Sequence, residues 1–483
     1  DVNEVDERGK SFFVRAVRQV SNPEMIEVLI RQGGKVNQKE ADGDFPLYAA
    51  LSNSNPQVAE VLLKHGAQVN QMVGGDTLLM RAILLGADDK IESLLNHGAD
   101  VNARNKDRST PLMYAAQYNQ NPSMIDLLIE RGASISAMNK NNATALMLAA
   151  FGNSNPQVIR TLVKHGSQVN ARDNQGDTPL SYAARSLFPE NAGVLIELGA
   201  KVNVQNQFGY TPLMEAAAFG KEPETIDTLI KHGAQVNAKD KNGQTALMWA
   251  AGDNSNPQII QRLLAAGANI NAKDNRGRTA LMRALLLGNN AQVVKLLLDQ
   301  GADVNAKDAS GSTPFMALLS KKDLLAQQNQ SELVALFLKK GANLNAAEQD
   351  GYTPLLHALS IDASPAVIEQ LLAAGAQVNV KEKQGITPLM LAAVRSSDPA
   401  VLKLLLDHGA DIHARSNSGK TALMQAAANN TRADIAAFLI QNGAQINAQD
   451  NEGVTPLMLA VKFKFNPEVF ALLLNSGADI QIK

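Results

Sequence analysis

Residues 237–271 read NAKDKNGQTALMWAAGDNSNPQIIQRLLAAGANIN, and the same frame begins again directly afterwards. Asp240 to Gly243 has the composition of a turn, because an aspartate side chain can cap it and glycine tolerates positive φ. Thr245 to Ala251 predicts a short first helix of small residues. Asn256 and Pro257 predict the cap and first residue of a second helix, which the following G-A pair ends. The unit is therefore a hairpin turn, a helix, a loop and a second helix.

This frame recurs along the whole chain, mostly at intervals of 33 or 34 residues. Fourteen copies leave no room for another domain, so we expect residues 1–483 to form a single repeat domain. The first copy, residues 1–44, is irregular, and the tenth carries an insertion near 320–332. The position of Thr245 is occupied in successive copies by Ser11, Phe45, Thr77, Thr110, Thr144, Thr178, Thr211, Thr245, Thr279, Thr313, Thr353, Thr387, Thr421 and Thr455.

A period near 33 residues with T-P-L-M-x-A-A and G-A-x-V-N-A resembles the ankyrin repeat family. The resemblance covers essentially the whole chain and implies an all-α solenoid of helix-turn-helix repeats with short β-hairpin-like turns. It also implies a scaffold that binds partner proteins and carries no chemistry. Met after T-P-L and N-P-x-V-I at the second helix depart from the usual family pattern, and this variant looks more like bacterial arrays than animal ones.

Several copies depart from the frame. Arg108 stands where most copies have the turn glycine, and arginine tolerates the left-handed region poorly, so the sequence predicts a different turn there. The third copy has Gly74 and Gly75 at its tip and lacks the proline of the first helix. The sixth copy lacks the Asn-Pro cap of its second helix.

The composition excludes several classes of function. Lys plus Arg is 45 and Asp plus Glu is 47, so no basic field favours nucleic acid. No apolar run approaches the roughly 18 residues of a membrane span. The chain has no cysteine, which excludes disulfides and thiolate chemistry, and it does not begin with methionine. Both features favour a bacterial periplasmic or secreted protein, with the cytoplasm as the alternative, and the absent methionine indicates either a removed leader or a trimmed chain.

The chemically suggestive residue types occupy fixed positions of the repeat. Seventeen of the 18 prolines lie in the T-P-L or the cap position, and ten of the 14 methionines lie in one position of the first helix. Five of the seven histidines directly precede the glycine that ends a second helix, where a cation meets the negative end of the helix dipole. The sequence therefore predicts no catalytic, cofactor-binding or metal-binding residues, although an enzyme or a ligand- or ion-binding protein using groove residues is the alternative.

The resemblance places hairpin tips and first helices on a concave groove that would hold a protein or peptide. The residue before the paired alanines varies between copies, and large aromatic side chains concentrate in copies four to eight. Aromatic side chains with a polar group are frequent interface anchors, although some of these could instead pack under neighbouring side chains. The predicted partner-binding residues are Tyr114, Tyr118, Tyr182, Phe208, Tyr210, Phe219 and Trp249.

The predicted function is that of a non-enzymatic protein-binding scaffold. Within that class an inhibitor or immunity protein, an effector and an envelope scaffold all stay open. The last copy carries Phe463, Phe465 and Phe470 where an end repeat should be polar, so we also expect self-association or partner burial at this end.

Overall fold

A computed structural model describes residues 1–7, 9–41, 43–254, 256–288, 290–321, 330–429, 432–462 and 467–482. The chain divides into two compact units, Asp1–Lys241 and Asn242–Lys483. In the described residues each unit contains fourteen helices, which alternate between a first and a second helix of each repeat. The predicted all-α repeat fold is confirmed.

The first unit also contains the one two-stranded sheet among the described residues, β1 (Met72–Val73) and β2 (Asp76–Thr77). Its helices are α1 (Phe12–Gln19), α2 (Pro23–Arg31), α3 (Pro46–Leu51), α4 (Pro56–Lys64), α5 (Leu78–Leu84), α6 (Asp88–Asn96), α7 (Pro111–Tyr118), α8 (Pro122–Glu130), α9 (Ala145–Gly152), α10 (Pro156–Lys164), α11 (Pro179–Ala184), α12 (Glu190–Glu197), α13 (Pro212–Phe219) and α14 (Pro223–Lys231).

The second unit repeats the same alternation of first and second helices. Its helices are α15 (Ala246–Asp253), α16 (Pro257–Ala265), α17 (Ala280–Leu286), α18 (Ala291–Asp299), α19 (Pro314–Leu319), α20 (Gln330–Lys339), α21 (Pro354–Ser360), α22 (Pro365–Ala373), α23 (Pro388–Arg395), α24 (Pro399–Asp407), α25 (Ala422–Asn429), α26 (Ala433–Gln441), α27 (Pro456–Lys462) and α28 (Pro467–Asn475).

Helices α7 and α10 begin at the cap positions that the repeat frame predicts. Thr110 accepts a hydrogen bond from the N–H of Met113 at 3.4 Å, so it caps α7. Asn155 accepts one from the N–H of Gln157 at 3.0 Å, and Pro156 is the first residue of α10. These bonds satisfy backbone donors that the first turn of a helix leaves unpaired.

Adjacent repeats pack first helix on first helix and second helix on second helix. In the first unit α5 contacts α7, α7 contacts α9, α9 contacts α11 and α11 contacts α13. In the second unit α15 contacts α17 and α23 contacts α25 in the same way. The methionine position of the first helix lies inside this stack, because Met80, Met147 and Met316 are fully buried. The methionine row therefore packs the core, as the regular spacing predicts.

Hairpin tips of adjacent repeats are joined by backbone hydrogen bonds. The N–H of Asn174 donates to the carbonyl of Asn141 at 3.0 Å, and the N–H of Gln207 donates to that of Gln175 at 2.9 Å. Gly209 has a φ of +86°, and a Cβ at this position would lie 2.7 Å from the amide nitrogen of Lys241. Glycine at the tip therefore serves both the turn and the close approach of the next repeat.

A second row of contacts comes from the asparagine of the V-N-A motif. Asn102 donates to the carbonyl of Gly132 at 2.8 Å and accepts from the N–H of Ser134 at 2.8 Å. The same pair of bonds recurs at Asn3, Asn37, Asn70, Asn170, Asn203, Asn305, Asn345, Asn379 and Asn447. Ser136 takes this position in the fourth copy, beside a cavity of about 100 Å³ that Gly166 and Gln168 also line. The shorter side chain leaves that junction without the asparagine bridge.

Among the hairpin turns that depart from the repeat frame, the turn at Arg108 differs from the one that the sequence predicts. Arg108 has a φ of +61°, and its N–H donates to the carbonyl of Asn105 at 2.9 Å, as the glycine does in other copies. The prediction of a different turn was wrong, because the Asn105 side chain accepts from the N–H groups of Asp107 and Ser109 and holds the turn. At the third copy, Gly74 and Gly75 both have positive φ and connect β1 to β2.

The sixth copy lacks the cap but keeps a hydrogen bond to the preceding repeat. Pro189 precedes α12 and makes no side-chain cap, as predicted. Asn191, inside the helix and fully buried, donates to the carbonyls of Ala150 at 3.2 Å and Asn153 at 2.8 Å. The inter-repeat bond is therefore kept although the motif is lost.

Two predictions fall outside the described residues. The insertion near 320–332 includes residues 322–329, and the C-terminal cluster includes Phe463 and Phe465. Self-association through the last repeat therefore stays a prediction. Within the described residues, no helix combines the length and apolar character needed to cross a membrane.

Candidate partner-binding surface

The predicted aromatic residues lie on first helices and on one hairpin tip. Six of them belong to the first unit, and Trp249 lies on α15 of the second unit. Tyr118, Phe208 and Phe219 are 52%, 45% and 53% exposed. The remaining four are partly buried, so the set contains both exposed and tethered side chains.

Tyr114 and Tyr118 form a pair at the end of α7. Their ring centroids are 6.0 Å apart with planes tilted by 60°, an arrangement that aromatic pairs favour. The hydroxyl of Tyr114 donates to Asp76 at 2.7 Å and accepts from Asn105 at 3.2 Å. Burial and the bond to Asp76 raise the pKa of Tyr114 to about 12. Tyr114 thus ties one repeat to the turn before it, while Tyr118 stays open to solvent.

Tyr182 is held by one contact at its hydroxyl and one at its ring. The hydroxyl donates to Asp173 at 2.8 Å, and the Arg185 guanidinium lies 4.9 Å from the ring centroid. Burial, followed by the bond to Asp173, raises the pKa of this tyrosine. The cation–π contact and the hydroxyl hydrogen bond therefore give Tyr182 a structural role, although its side chain is only partly buried.

Arg185 forms ion pairs with two carboxylates, and a third, Asp173, acts electrostatically on one of them; we call Asp173, Asp177 and Glu215 the acid network. Arg185 contacts Asp177 at 3.0 Å and Glu215 at 3.3 Å, and Asp177 also accepts from Asn206. Glu215 is only 3% exposed, and burial raises its pKa to about 7 although Arg185 opposes the shift. Desolvation disfavours the charged form, and the two aspartates add to it.

Phe208 and Tyr210 stack at one hairpin tip. Their ring centroids are 5.7 Å apart with an angle of 34° between planes. The Asn206 side chain accepts from the N–H groups of both residues at 2.9 Å, so it fixes the backbone that carries the two rings. The tip therefore presents an aromatic pair on a rigid turn.

In the second unit, Trp249 is covered by an arginine from the next repeat. The Arg283 guanidinium lies 4.9 Å from the indole centroid, donates to the carbonyl of Met248 at 3.0 Å and contacts Asp253 at 2.9 Å. Arg283 is itself buried, so its stacking orders the indole. Trp249, like Tyr182, is engaged within its unit before any partner binds.

Three exposed apolar residues that the sequence analysis missed, Leu85, Phe151 and Leu187, extend the surface. In five successive repeats of the first unit a large apolar side chain lies at or just after the end of the first helix, and each is 45–54% exposed. We call this set the apolar ridge; its members are Leu85, Tyr118, Phe151, Leu187 and Phe219. Some other copies have serine or aspartate near this position, as at Ser52 and Asp253, whereas Leu287 and Val461 in the second unit are exposed apolar residues like these.

Comparison with known families decides the fold family. A family model described as ankyrin repeats (3 copies) matches residues 13–105, 112–206, 194–274, 213–308, 323–416 and 392–483. The chain belongs to the ankyrin repeat family. One similar solved structure is the crystal structure of the ankyrin repeat domain of Bcl-3, described as a unique member of the IkappaB protein family. It is 29% identical, covers 48% of this chain and 99% of that one, and gives a TM-score of 0.41. Among the curated proteins none matches significantly.

Ankyrin repeats are generally protein–protein interaction modules. The histidines of this array lie mostly at the ends of second helices, where they have a structural role. His65, His97, His165, His232 and His408 each follow the last residue of a second helix, as predicted. The Nδ1 atoms of His97 and His408 lie 2.9 Å from helix carbonyls. Within the described residues, no group of three His, Cys, Asp or Glu side chains could hold a metal ion.

Two adjacent repeats of the second unit bring together a serine, a histidine and a carboxylate. Ser320 Oγ lies 3.0 Å from His357 Nδ1, and His357 Nε2 lies 3.3 Å from Glu348 Oε1. Ser320 Oγ also bonds the carbonyl of Met316 at 2.8 Å, which ties the hydroxyl to the end of α19. A helix C-terminus presents carbonyl oxygens, which would repel the oxyanion of acyl transfer. The arrangement is a packing contact between repeats rather than a nucleophilic site.

Proposed function

We propose that this ankyrin array is a non-enzymatic scaffold that binds another protein through its first helices and hairpin tips. The binding residues are those predicted from the sequence: Tyr114, Tyr118, Tyr182, Phe208, Tyr210, Phe219 and Trp249. The observation that carries the proposal is the exposure of Tyr118, Phe208 and Phe219 on rigid elements of one unit. Large aromatic side chains of this kind supply much of the binding energy in protein interfaces.

The seven residues differ in the contacts that they already make in the free chain. Tyr114 and Tyr182 have bonded hydroxyls, and Trp249 is stacked under Arg283. Replacing Tyr182 or Trp249 would therefore disturb the fold as well as any interface. Phe208 and Phe219 present more of their surface to solvent and are the better positions for a test of binding.

The test compares two doubly substituted chains as bait for proteins of the source cell. Phe208→Ser/Phe219→Ser removes two exposed rings from the proposed surface, and Met25→Ser/Val28→Ser removes two exposed apolar side chains from the second helix α2. We expect the wild type and the α2 variant to capture the same protein. The purified partner should bind the Phe208/Phe219 variant at least about tenfold more weakly. Equal affinity of all three chains for that partner would refute the proposed surface.

The finer roles stay predictions from the sequence. These are the groove as the binding site, a bacterial inhibitor, immunity protein or effector, and a single domain over residues 1–483.

A further inference from the structure

The junction between the fourth and fifth copies departs from the repeat frame at three positions. Ser136 replaces the asparagine of the V-N-A motif, and Ser167 replaces the alanine of the G-A pair. Met138 stands where most copies have lysine, arginine or glutamine. All three residues line the cavity of about 100 Å³ at this junction. Their meeting in one cavity distinguishes this junction from the regular ones.

At a regular junction an asparagine side chain bridges two backbone groups of the next copy. Asn102 donates to the carbonyl of Gly132 and accepts from the N–H of Ser134, both at 2.8 Å. The equivalent groups after Ser136 are the carbonyl of residue 166 and the N–H of residue 168, and both residues line the cavity. Within the described residues 43–254 no side chain bridges these two groups. An acceptor and a donor therefore lie at the cavity with the spacing that suits a carboxamide.

The serine of the G-S pair adds a third polar group. The Oγ atom of Ser167 is buried and has no hydrogen-bond partner among the described residues. A buried hydroxyl without a partner is costly, so a ligand that accepts its proton gains from the contact. Alanine offers no such group at the equivalent positions, as at Ala133 and Ala200. The three polar groups together favour a ligand that both donates and accepts.

The rest of the lining is apolar, which selects against water and against charge. Ile135, Met138 and Ala171 lie on the wall of the cavity. At roughly 30 Å³ per water the cavity has the size of about three waters, which is close to that of a carboxamide with a short alkyl group. Water would leave the apolar wall wetted, and a carboxylate would bring negative charge to the carbonyl of Gly166 without a proton to donate.

We propose that this cavity is a binding site for a primary carboxamide. The amide nitrogen donates to the carbonyl of Gly166, and the amide oxygen accepts from the N–H of Gln168 and the hydroxyl of Ser167. The alkyl group packs against Ile135. The ligand thus takes the place of the asparagine side chain that Ser136 does not supply.

Two sources offer this chemistry, a free small amide and an Asn or Gln side chain of a bound protein. None of the seven proposed partner-binding residues lines the cavity. The inference therefore does not depend on the proposed function, and either can fail without the other.

Titration of the deuterated full chain with propanamide, followed by its amide NMR signals, tests the inference. We expect saturable shifts at Gln168 and its neighbours, with a dissociation constant on the order of 1 mM for a ligand this small. Propanoate has nearly the same shape but no proton to donate to Gly166. It should bind at least about tenfold more weakly, which corresponds to the loss of one hydrogen bond.

Variants of the junction separate the site from unspecific binding. Ser136→Asn supplies the carboxamide from the chain itself, so it should weaken propanamide binding at least about tenfold and raise the temperature of unfolding. This variant should fold, because asparagine holds the same position at regular junctions. Ser167→Ala should weaken binding several-fold, whereas Ser154→Ala, at an exposed position, should bind like the wild type.

Two capped tripeptides, Gly-Asn-Gly and Gly-Asp-Gly, identify the source of the carboxamide. If the Asn peptide gives the same shifts as propanamide and the Asp peptide does not, the site accepts a protein side chain. If propanamide binds and neither peptide does, the site takes a free amide. Wild-type signals that do not shift would mean that the cavity holds only water, and this would overturn the inference. Equal binding of propanamide and propanoate, or of wild type and Ser136→Asn, would overturn it as well.

Discussion

Glu215 shows how one residue of this array can be set apart from its equivalents in other repeats. It lies on α13 at the position that holds Tyr182 in the preceding copy, and there it is buried beside Asp173 and Asp177. Arg185 contacts it at 3.3 Å but does not compensate for the loss of water. A buried carboxylate of this kind makes stability depend on pH.

The substitution Glu215→Gln should reduce the dependence of folding stability on pH. The pKa of Glu215 rises from 4.5 to about 7 on folding, so its protonated form stabilises the fold fully below pH 4.5. This stabilisation is lost as the pH rises to 7, by an amount on the order of 2–3 kcal/mol. Glutamine does not titrate, so the stability of the variant relative to wild type should increase from pH 5 to pH 8.

Urea unfolding followed by circular dichroism at both pH values measures the difference. Glu130→Gln, at an exposed position of α8, should keep a constant difference from wild type. A Glu215→Gln difference that does not change with pH would mean that this carboxyl is ionised throughout the range.

Arg108 shows why single residues were the weakest part of the sequence prediction. Left-handed backbone costs a non-glycine residue about 1–2 kcal/mol, which argues for a different turn. The side chain of Asn105 bonds the backbone on both sides of the tip and holds Arg108 in the same conformation as glycine. Backbone propensity is a property of the single residue, whereas this turn is held by hydrogen bonds from the neighbouring Asn105 side chain.

At the scale of the helix pair, buried asparagine side chains such as Asn53, Asn153 and Asn191 connect a repeat to the one before it. Asn153 donates to the carbonyls of Ala116 and Asn119, both at 2.8 Å, and accepts from the N–H of Asn155 at 2.8 Å. It is almost fully buried, so water cannot replace these bonds. The loop between α9 and α10 is therefore tied to the end of α7.

Asn153→Ala should destabilise the chain by about 2–3 kcal/mol, because it leaves two carbonyls and one N–H without this partner inside the protein. The midpoint of urea unfolding measures the loss, and amide exchange should accelerate in α9 and α10. Ser154→Ala, at the exposed neighbouring position, should change stability by less than about 0.5 kcal/mol. A loss equal to that of Ser154→Ala would show that the three bonds contribute little.

The sequence predicted the helices well because their ends are encoded locally. The threonine of T-P-L caps most first helices, with Thr353 as an exception, and asparagine before proline caps second helices, so boundaries such as Pro156 followed from the residues. The bonds between repeats did not follow, since Asn191 takes over from a position that the motif does not mark. Such replacements depend on the geometry of the neighbouring repeat.

At the scale of the molecule, the period and the T-P-L-M-x-A-A and G-A-x-V-N-A motifs predicted a repeat array and its family. They predicted the candidate surface only in part. Aromatic residues were singled out by type, but exposure depends on position: Phe151 lies in the last turn of α9, and Leu85 and Leu187 follow the ends of α5 and α11. Tyr182 was singled out as a free anchor, and its bonds to Asp173 and Arg185 are visible only when the turn is folded against the helix.

The central claim is that the first helices and hairpin tips of this array bind a partner protein. Hydrogen–deuterium exchange of the chain with and without the captured partner tests it most directly. We predict slower exchange at the ends of α7, α9 and α13 and at the tip that carries Phe208, with unchanged exchange in the second helices α4, α6 and α8. Protection confined to those second helices would contradict the claim.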